Sequence, residues 1–112
     1  MQLDVSGQNI EVTDALHAYV ADKVERVQRH LDGARDAHVV LSVEKHRHFA
    51  EINLNANGTT LHADAEDKDM YAAIDAMADK IDRQARRQHE KATEHGQREA
   101  RAAKEQPPGD GE

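Results

Sequence analysis

The chain contains no cysteine and no tryptophan. The first absence excludes a disulfide scaffold, a thiol nucleophile and any zinc site built on cysteine. It also fits a reducing compartment. Aromatic residues are scarce, and Tyr19, Phe49 and Tyr71 are the full set. None is expected at the middle of an exposed strand face, so a base-stacking platform for single-stranded RNA is not expected. Apolar runs are short. Stretches such as Val39-Val40-Leu41 and Tyr71-Ala72-Ala73-Ile74 fall far below the roughly 20 residues that cross a bilayer. The opening Met1-Gln2-Leu3-Asp4 lacks the basic start and apolar core of a signal peptide. Positive charge is in deficit as well. The 112 residues hold 15 basic and 22 acidic side chains, a formal net charge of -7. Taken whole, that balance argues against a nucleic-acid partner. Its distribution along the chain argues the other way.

The length supports one domain with a modest core. Composition breaks near Gly96. Residues 96–112 hold no Val, Ile, Leu, Phe, Tyr or Met, so they cannot bury enough apolar surface to offset ordering. The expectation is a folded domain over 1–95 and a flexible tail over 96–112. Arg98, Arg101 and Lys104 nearly balance Glu99, Glu105, Asp110 and Glu112, so most of the net charge belongs to the domain.

Within that domain the hydrophobic period changes from two to 3.6 and back. Leu3 and Val5 alternate with polar neighbours, a first strand ended by Gly7. Thr13 suits an N-cap, with Asp14 in the first turn. Leu16, Val20, Val24, Val27 and Leu31 then form a helical stripe that Gly33 closes. Val39, Leu41 and Val43 alternate, as do Ile52, Leu54 and Ala56. Asn57-Gly58 is a two-residue hairpin signal, and Leu61, Ala63 and Ala65 continue the inward face beyond it. Asp67 or Asp69 caps a second helix with the stripe Met70, Ile74, Met77, Ile81 and Ala85. The predicted fold is α+β in the order β-α-β-β-β-α. A parallel crossover opens it and a meander follows, giving a four-stranded mixed sheet with both helices on one face, like a double-stranded-RNA-binding domain. Small Ala63 and Ala65 let a helix approach closely. The other face, with Ser42, Glu44, Glu51, Asn53, Asn55, Thr60, His62 and Asp64, is expected to be solvated.

Charge on the helices is segregated. At about 100° per residue, Arg83, Arg87 and Lys91 fall within about 60° of Lys80, while Asp75, Asp79 and Asp82 lie at about 200–260°. The first helix repeats the pattern. Arg26 and His30 lie within about 60° of Lys23, and Asp14, Asp22, Glu25 and Asp32 at about 180–260°. One such ridge is ordinarily a solvated face laced with i,i+4 pairs, and Asp79-Arg83 and Asp22-Arg26 have that spacing. Two ridges on one layer favour phosphate contact, which supplies affinity without sequence readout. Folded or double-stranded RNA fits best.

Other chemistry is poorly supported. Eight histidines are present (His17, His30, His38, His46, His48, His62, His89 and His95). In an extended stretch His46 and His48 would share a face, but no third ligand stands near them in sequence, and structural zinc takes four. No metal or cofactor is expected. Ser6 and Ser42 lie in no G-x-S-x-G elbow. Tyr71 is expected to pack at the start of the second helix with its hydroxyl bonded locally. Met70 and Met77 are core by spacing, and Asp69 and Asp75 are capping or surface residues. An enzyme is not expected.

Met1-Gln2-Leu3, Glu11-Val12-Thr13-Asp14-Ala15-Leu16, Val43-Glu44-Lys45 and above all Asp69-Met70-Tyr71-Ala72-Ala73-Ile74-Asp75, followed by Asp79-Lys80-Ile81 and Arg83-Gln84, carry a resemblance. Over roughly residues 1–95 the chain resembles the ribosome hibernation-promoting factors and ribosome-associated inhibitors, once called sigma-54 modulation proteins. The resemblance implies the same β-α-β-β-β-α fold. It implies a non-enzymatic factor of the bacterial cytoplasm, monomeric off the ribosome, with no membrane partner. Such a factor binds the small ribosomal subunit and its rRNA in the channel used by mRNA and tRNA, silencing translation in stationary phase. Carried over by position, the rRNA contacts are Lys23, Arg26, Lys45, Lys80, Arg83, Arg87 and Lys91, with Arg86 and Arg47 as basic neighbours. The competing reading is a protein–protein adaptor that uses the polar sheet face.

Overall fold

A computed structural model describes residues 1–31, 33–56 and 58–94, the last six of these by backbone alone. The elements are β1 (Gln2–Gln8), α1 (Asp14–Gln28), β2 (Ala34–Glu44), β3 (Arg47–Ala56), β4 (Thr59–Asp67) and α2 (Met70–Glu94). The strands form one sheet in the order β1-β2-β3-β4. β1 runs parallel to β2, and the other neighbours are antiparallel. This is the predicted α+β order and mixed sheet.

Register explains why one face is apolar. Leu3 pairs with Ala37, Ala37 with Leu54 and Leu54 with Leu61. The next inward row is Val5, Val39, Ile52 and Ala63, and the third is Gly7, Leu41, Ala50 and Ala65. The β2, β3 and β4 members of these rows share one buried core with Leu16, Val20, Val24 and Val27 of α1 and Met70, Ile74, Met77 and Ile81 of α2, and Leu3 and Val5 pack against it. Both helices therefore cover the same sheet face. Each fully buried aliphatic side chain contributes about 1.5–3 kcal/mol, several times an exposed ion pair, so these rows hold the fold.

Caps place the helices. The Thr13 hydroxyl accepts from the Leu16 N–H at 3.1 Å. Both aspartates before α2 act. Asp67 Oδ1 accepts from the Lys68 N–H at 2.7 Å, while Asp69 Oδ2 takes the Ala72 N–H at 3.2 Å as the cap itself.

Four local expectations need correction. Gly7 does not end the first strand; it lies inside β1 opposite Leu41. A Cβ there would stand 2.4 Å from the Ile10 carbonyl oxygen, so the glycine permits a close backbone return rather than a stop. α1 ends at Gln28, not near Gly33, which takes φ 74° in the following loop. His46 and His48 do not share an extended face. His46 sits in a two-residue turn beside Lys45, which adopts φ 58°, and His48 lies on the inward side of β3 opposite Val43. Phe49 does lie on the open sheet face, opposite Ser42 and Glu66. The expected tail at 96–112 lies outside the described residues.

Candidate nucleic-acid interface

α1 and α2 meet along a polar seam. Asp75, one turn beyond Tyr71, points at α1. The Tyr19 hydroxyl donates to Asp75 Oδ1 at 2.6 Å, and Lys23 Nζ stands 3.2 Å from the same oxygen. The Tyr71 ring meets Tyr19 edge-on, centroids 4.8 Å apart, and Lys23 Nζ lies 5.3 Å from the Tyr19 ring centre. The Tyr19 hydrogen bond holds the Asp75 carboxyl below the usual carboxylate range against the opposing effect of burial, with smaller help from Lys23. The same hydrogen bond to the carboxylate pushes the Tyr19 hydroxyl above its ordinary value. Asp75 is thus a clasp between helices, not a plain surface residue. Among the described residues it is the Tyr19 hydroxyl, not that of Tyr71, that engages a carboxylate.

The predicted basic residues divide around α2. On the α1 side, a groove of about 430 Å³ has walls of Lys23, Arg26, Arg29, His30 and Arg86 over Val27 and Ala78. Asp79 and Asp82 line it too. On the other side, a groove of about 400 Å³ between α2 and β4 is lined by Lys80, Arg83 and Arg87 with His62, Asp64 and Gln84. Lys45 is exposed at the β2–β3 turn. Lys91 lies in the last turns of α2, and its side chain is outside the described residues.

Most of these bases already hold a partner. Arg26 stands 3.3 Å from Asp22, Arg83 2.7 Å from Asp79 and Arg86 3.1 Å from Asp82, each at i,i+4 spacing. His30 stands 3.6 Å from Asp82 across the seam. The three arginine side chains are 61–71% exposed, so each pair is worth about 0.3–0.5 kcal/mol and exchanges readily for a phosphate. Two lysines are more committed. Lys23 is only 23% exposed within the clasp. Lys80 Nζ donates to the Asp64 carbonyl oxygen at 2.8 Å, and Gln84 Nε2, one turn on, donates to that of His62 at 2.7 Å.

Arg29 was missed by sequence reasoning. A single-helix wheel sets it off the ridge, yet across the seam Arg86 approaches to complete a ring of bases around the groove. Spacing along one helix carries no signal for a neighbour on another.

The net charge is elsewhere. Residues 1–95 hold 12 basic and 18 acidic side chains, a net of -6. α2 is balanced, with five of each. Among residues with a cross-strand partner, the open sheet face carries Asp4, Asp36, Glu44, Glu51, Asp64 and Glu66 against Arg47, a net of -5 with neutral histidines. The acidity thus faces away from the helices. A polyanion approaching the helix side meets arginines in salt-exchangeable pairs, with the carboxylate excess behind the sheet.

A sequence profile of the Sigma 54 modulation protein / S30EA ribosomal protein family matches residues 3–93. The chain belongs to that family. The S30EA match spans both helices and the whole sheet. A ribosome hibernation promoting factor of Azotobacter vinelandii is 45% identical over 102 residues, covering 89% of this chain and 95% of that relative. One from Pseudomonas putida is 46% identical over 91 residues, covering 81% and 89%. The crystal structure of the Thermus thermophilus Protein Y N-terminal domain superposes with a TM-score of 0.74 at 39% identity, covering 78% of this chain and 98% of that domain.

Proposed function

We propose that this protein is a ribosome hibernation factor that binds the small subunit through its helix layer and silences translation. The observation that carries the reading is charge segregation within a chain similar, nearly end to end, to ribosome hibernation promoting factors. Arg26, Arg83, Arg86 and Arg87, together with Lys45 and Lys91, meet rRNA phosphates. Lys23 and Lys80 contribute charge while keeping their structural bonds. Arg29 joins the set from the seam groove. Two grooves flanking one helix suit the paired phosphate ridges of folded RNA, which is recognised by shape.

The protein acts by occupancy. It fills the mRNA and tRNA channel of the small subunit, works in the cytoplasm without cofactor or metal, and is a monomer off the ribosome. Among the described residues no group of three or more His, Asp or Glu could hold a metal ion, and no helix is long and apolar enough to cross a membrane. Action by occupancy makes inhibition stoichiometric. In a reconstituted translation assay, synthesis should approach zero near one protein per ribosome. Ribosomes preloaded with mRNA and tRNA should resist. Inhibition at far lower ratios with rRNA fragments on a gel would identify a nuclease instead, and equal potency on loaded ribosomes would place the binding site elsewhere.

A further inference from the structure

The sheet face turned away from the helices has a composition that RNA binding does not use. We propose that it is a docking surface for an extended, arginine-rich segment of a protein partner. Its centre is a hollow of about 690 Å³ between strands, lined by Gln8, Val40, Ser42, Phe49, Glu51 and Glu66. Val40 and Phe49 are the two apolar side chains on this face. They are diagonal neighbours across β2 and β3, both half-buried, and form an apolar floor. Glu44, Glu51, Asp64 and Glu66 stand around it, with Lys80 as the one base in the wall, held by the Asp64 carbonyl.

These carboxylates differ from those on the helices. Asp22, Asp79 and Asp82 each have an arginine within 3.3 Å. Glu51 and Asp64, directly opposite each other, both face the His62 imidazole at 3.6 Å. Only Glu66 meets an arginine among the described residues of this face, Arg47 at 3.1 Å. The face is short of cations by its own composition. A guanidinium satisfies both features at once, stacking flat on Phe49 while its fork reaches a carboxylate. An ammonium is a compact point charge without the planar fork, so it serves the ring and the carboxylate less well together. Nucleic acid is repelled here, since six carboxylates oppose its phosphates. The surface shares only Asp64 and Lys80, at its edge, with the α2–β4 groove, so a partner could bind on the Val40, Phe49 and Glu51 side while the helices hold RNA.

The test uses the full chain, isotope-labelled for NMR, and a short peptide of alternating arginine and serine, with a lysine–serine counterpart. Amide shifts should concentrate at Val40, Ser42, Phe49, Glu51 and Glu66. The arginine peptide should bind roughly two- to fivefold tighter than the lysine one, the factor expected of an exposed guanidinium–aromatic contact. Glu51→Lys combined with Glu66→Lys should weaken binding by about tenfold or more. Both side chains are exposed, so the variant should keep its melting temperature. It should also still sediment with small subunits, which separates this surface from the ribosome reading. Shifts spread equally over the helix carboxylates, equal affinity for both peptides, unchanged binding by the charge-reversal variant, or an RNA oligonucleotide moving the same sheet signals would each overturn the proposal.

Discussion

Replacing Arg83 and Arg86 together by alanine tests the helix layer on both sides of α2, because Arg83 lines the β4 groove and Arg86 the seam groove. Both side chains are largely exposed. Arg83 loses an exposed i,i+4 pair with Asp79, and Arg86 one with the half-buried Asp82, which keeps His30 at 3.6 Å, so stability should fall by about 1 kcal/mol in total. That corresponds to a melting-temperature shift of about 4–8 °C. The effect on binding is far larger. Each phosphate contact contributes about 0.7–0.9 to the slope of log affinity against log salt. Two lost contacts flatten that slope by about 1.4–1.8. Over a fourfold rise in salt the wild type should therefore lose about tenfold more affinity than the variant does. Sedimentation with isolated small subunits across a salt series reads this, with circular dichroism as the control for folding. Undiminished binding, or weaker binding at an unchanged slope, would refute phosphate contact by these arginines.

The ion pairs give an opposite perturbation. Asp79→Asn releases Arg83 and removes a like charge from the interface, so small-subunit affinity should rise about two- to fivefold in the same assay. The Asp75 carboxyl is held low in the folded state, so the unfolded chain binds the proton first as pH falls. The clasp's contribution is thus present above the ordinary carboxylate value, near 3.8, and is lost as pH drops through the folded one. Thermal melts from neutral pH into acid should show a shallower decline for Asp75→Asn than for wild type; parallel declines would discount the clasp. Gly7→Ala places a methyl 2.4 Å from the Ile10 carbonyl oxygen, a backbone atom that cannot swing aside. It should cost about 1–3 kcal/mol in chemical denaturation, and a neutral result would mean the 8–10 segment repositions freely.

Much of the fold was legible because burial writes itself as period. Leu16, Val20, Val24 and Val27 fell on one helical stripe, and Ile52 and Leu54 on one strand face, for no reason but the core they share. The Asn57-Gly58 signal was equally local, and Ala56 pairs with Thr59 across it. What failed were features set by contacts distant in sequence. Gly7 reads as a stop until the Ile10 carbonyl is seen beside it. The Lys45-His46 turn carries no glycine, although Lys45 takes a left-handed φ, so composition gave no cue. Gly33 looked like a helix terminator, yet α1 ends earlier and the glycine serves the loop. At the candidate site, helical spacing pointed to the two i,i+4 pairs Asp22-Arg26 and Asp79-Arg83, both of which form. It could not show that Asp75 bridges to Tyr19, nor that Arg29 and Arg86 converge, because each pairing joins two helices.

The reach of Lys80 and Gln84 onto β4 has a consequence for the protein at high concentration. β4 ends the sheet, and its outward carbonyls at His62 and Asp64 would otherwise offer a template for another chain. Two helix side chains one turn apart occupy those acceptors, a charged one and a neutral one. An incoming strand must displace both and pass α2 before it can pair. The sheet is thereby closed to growth on that side, so strand addition at β4 is hindered without the strand being shortened or kinked. Fibrous association of copies through β4 is disfavoured in this way.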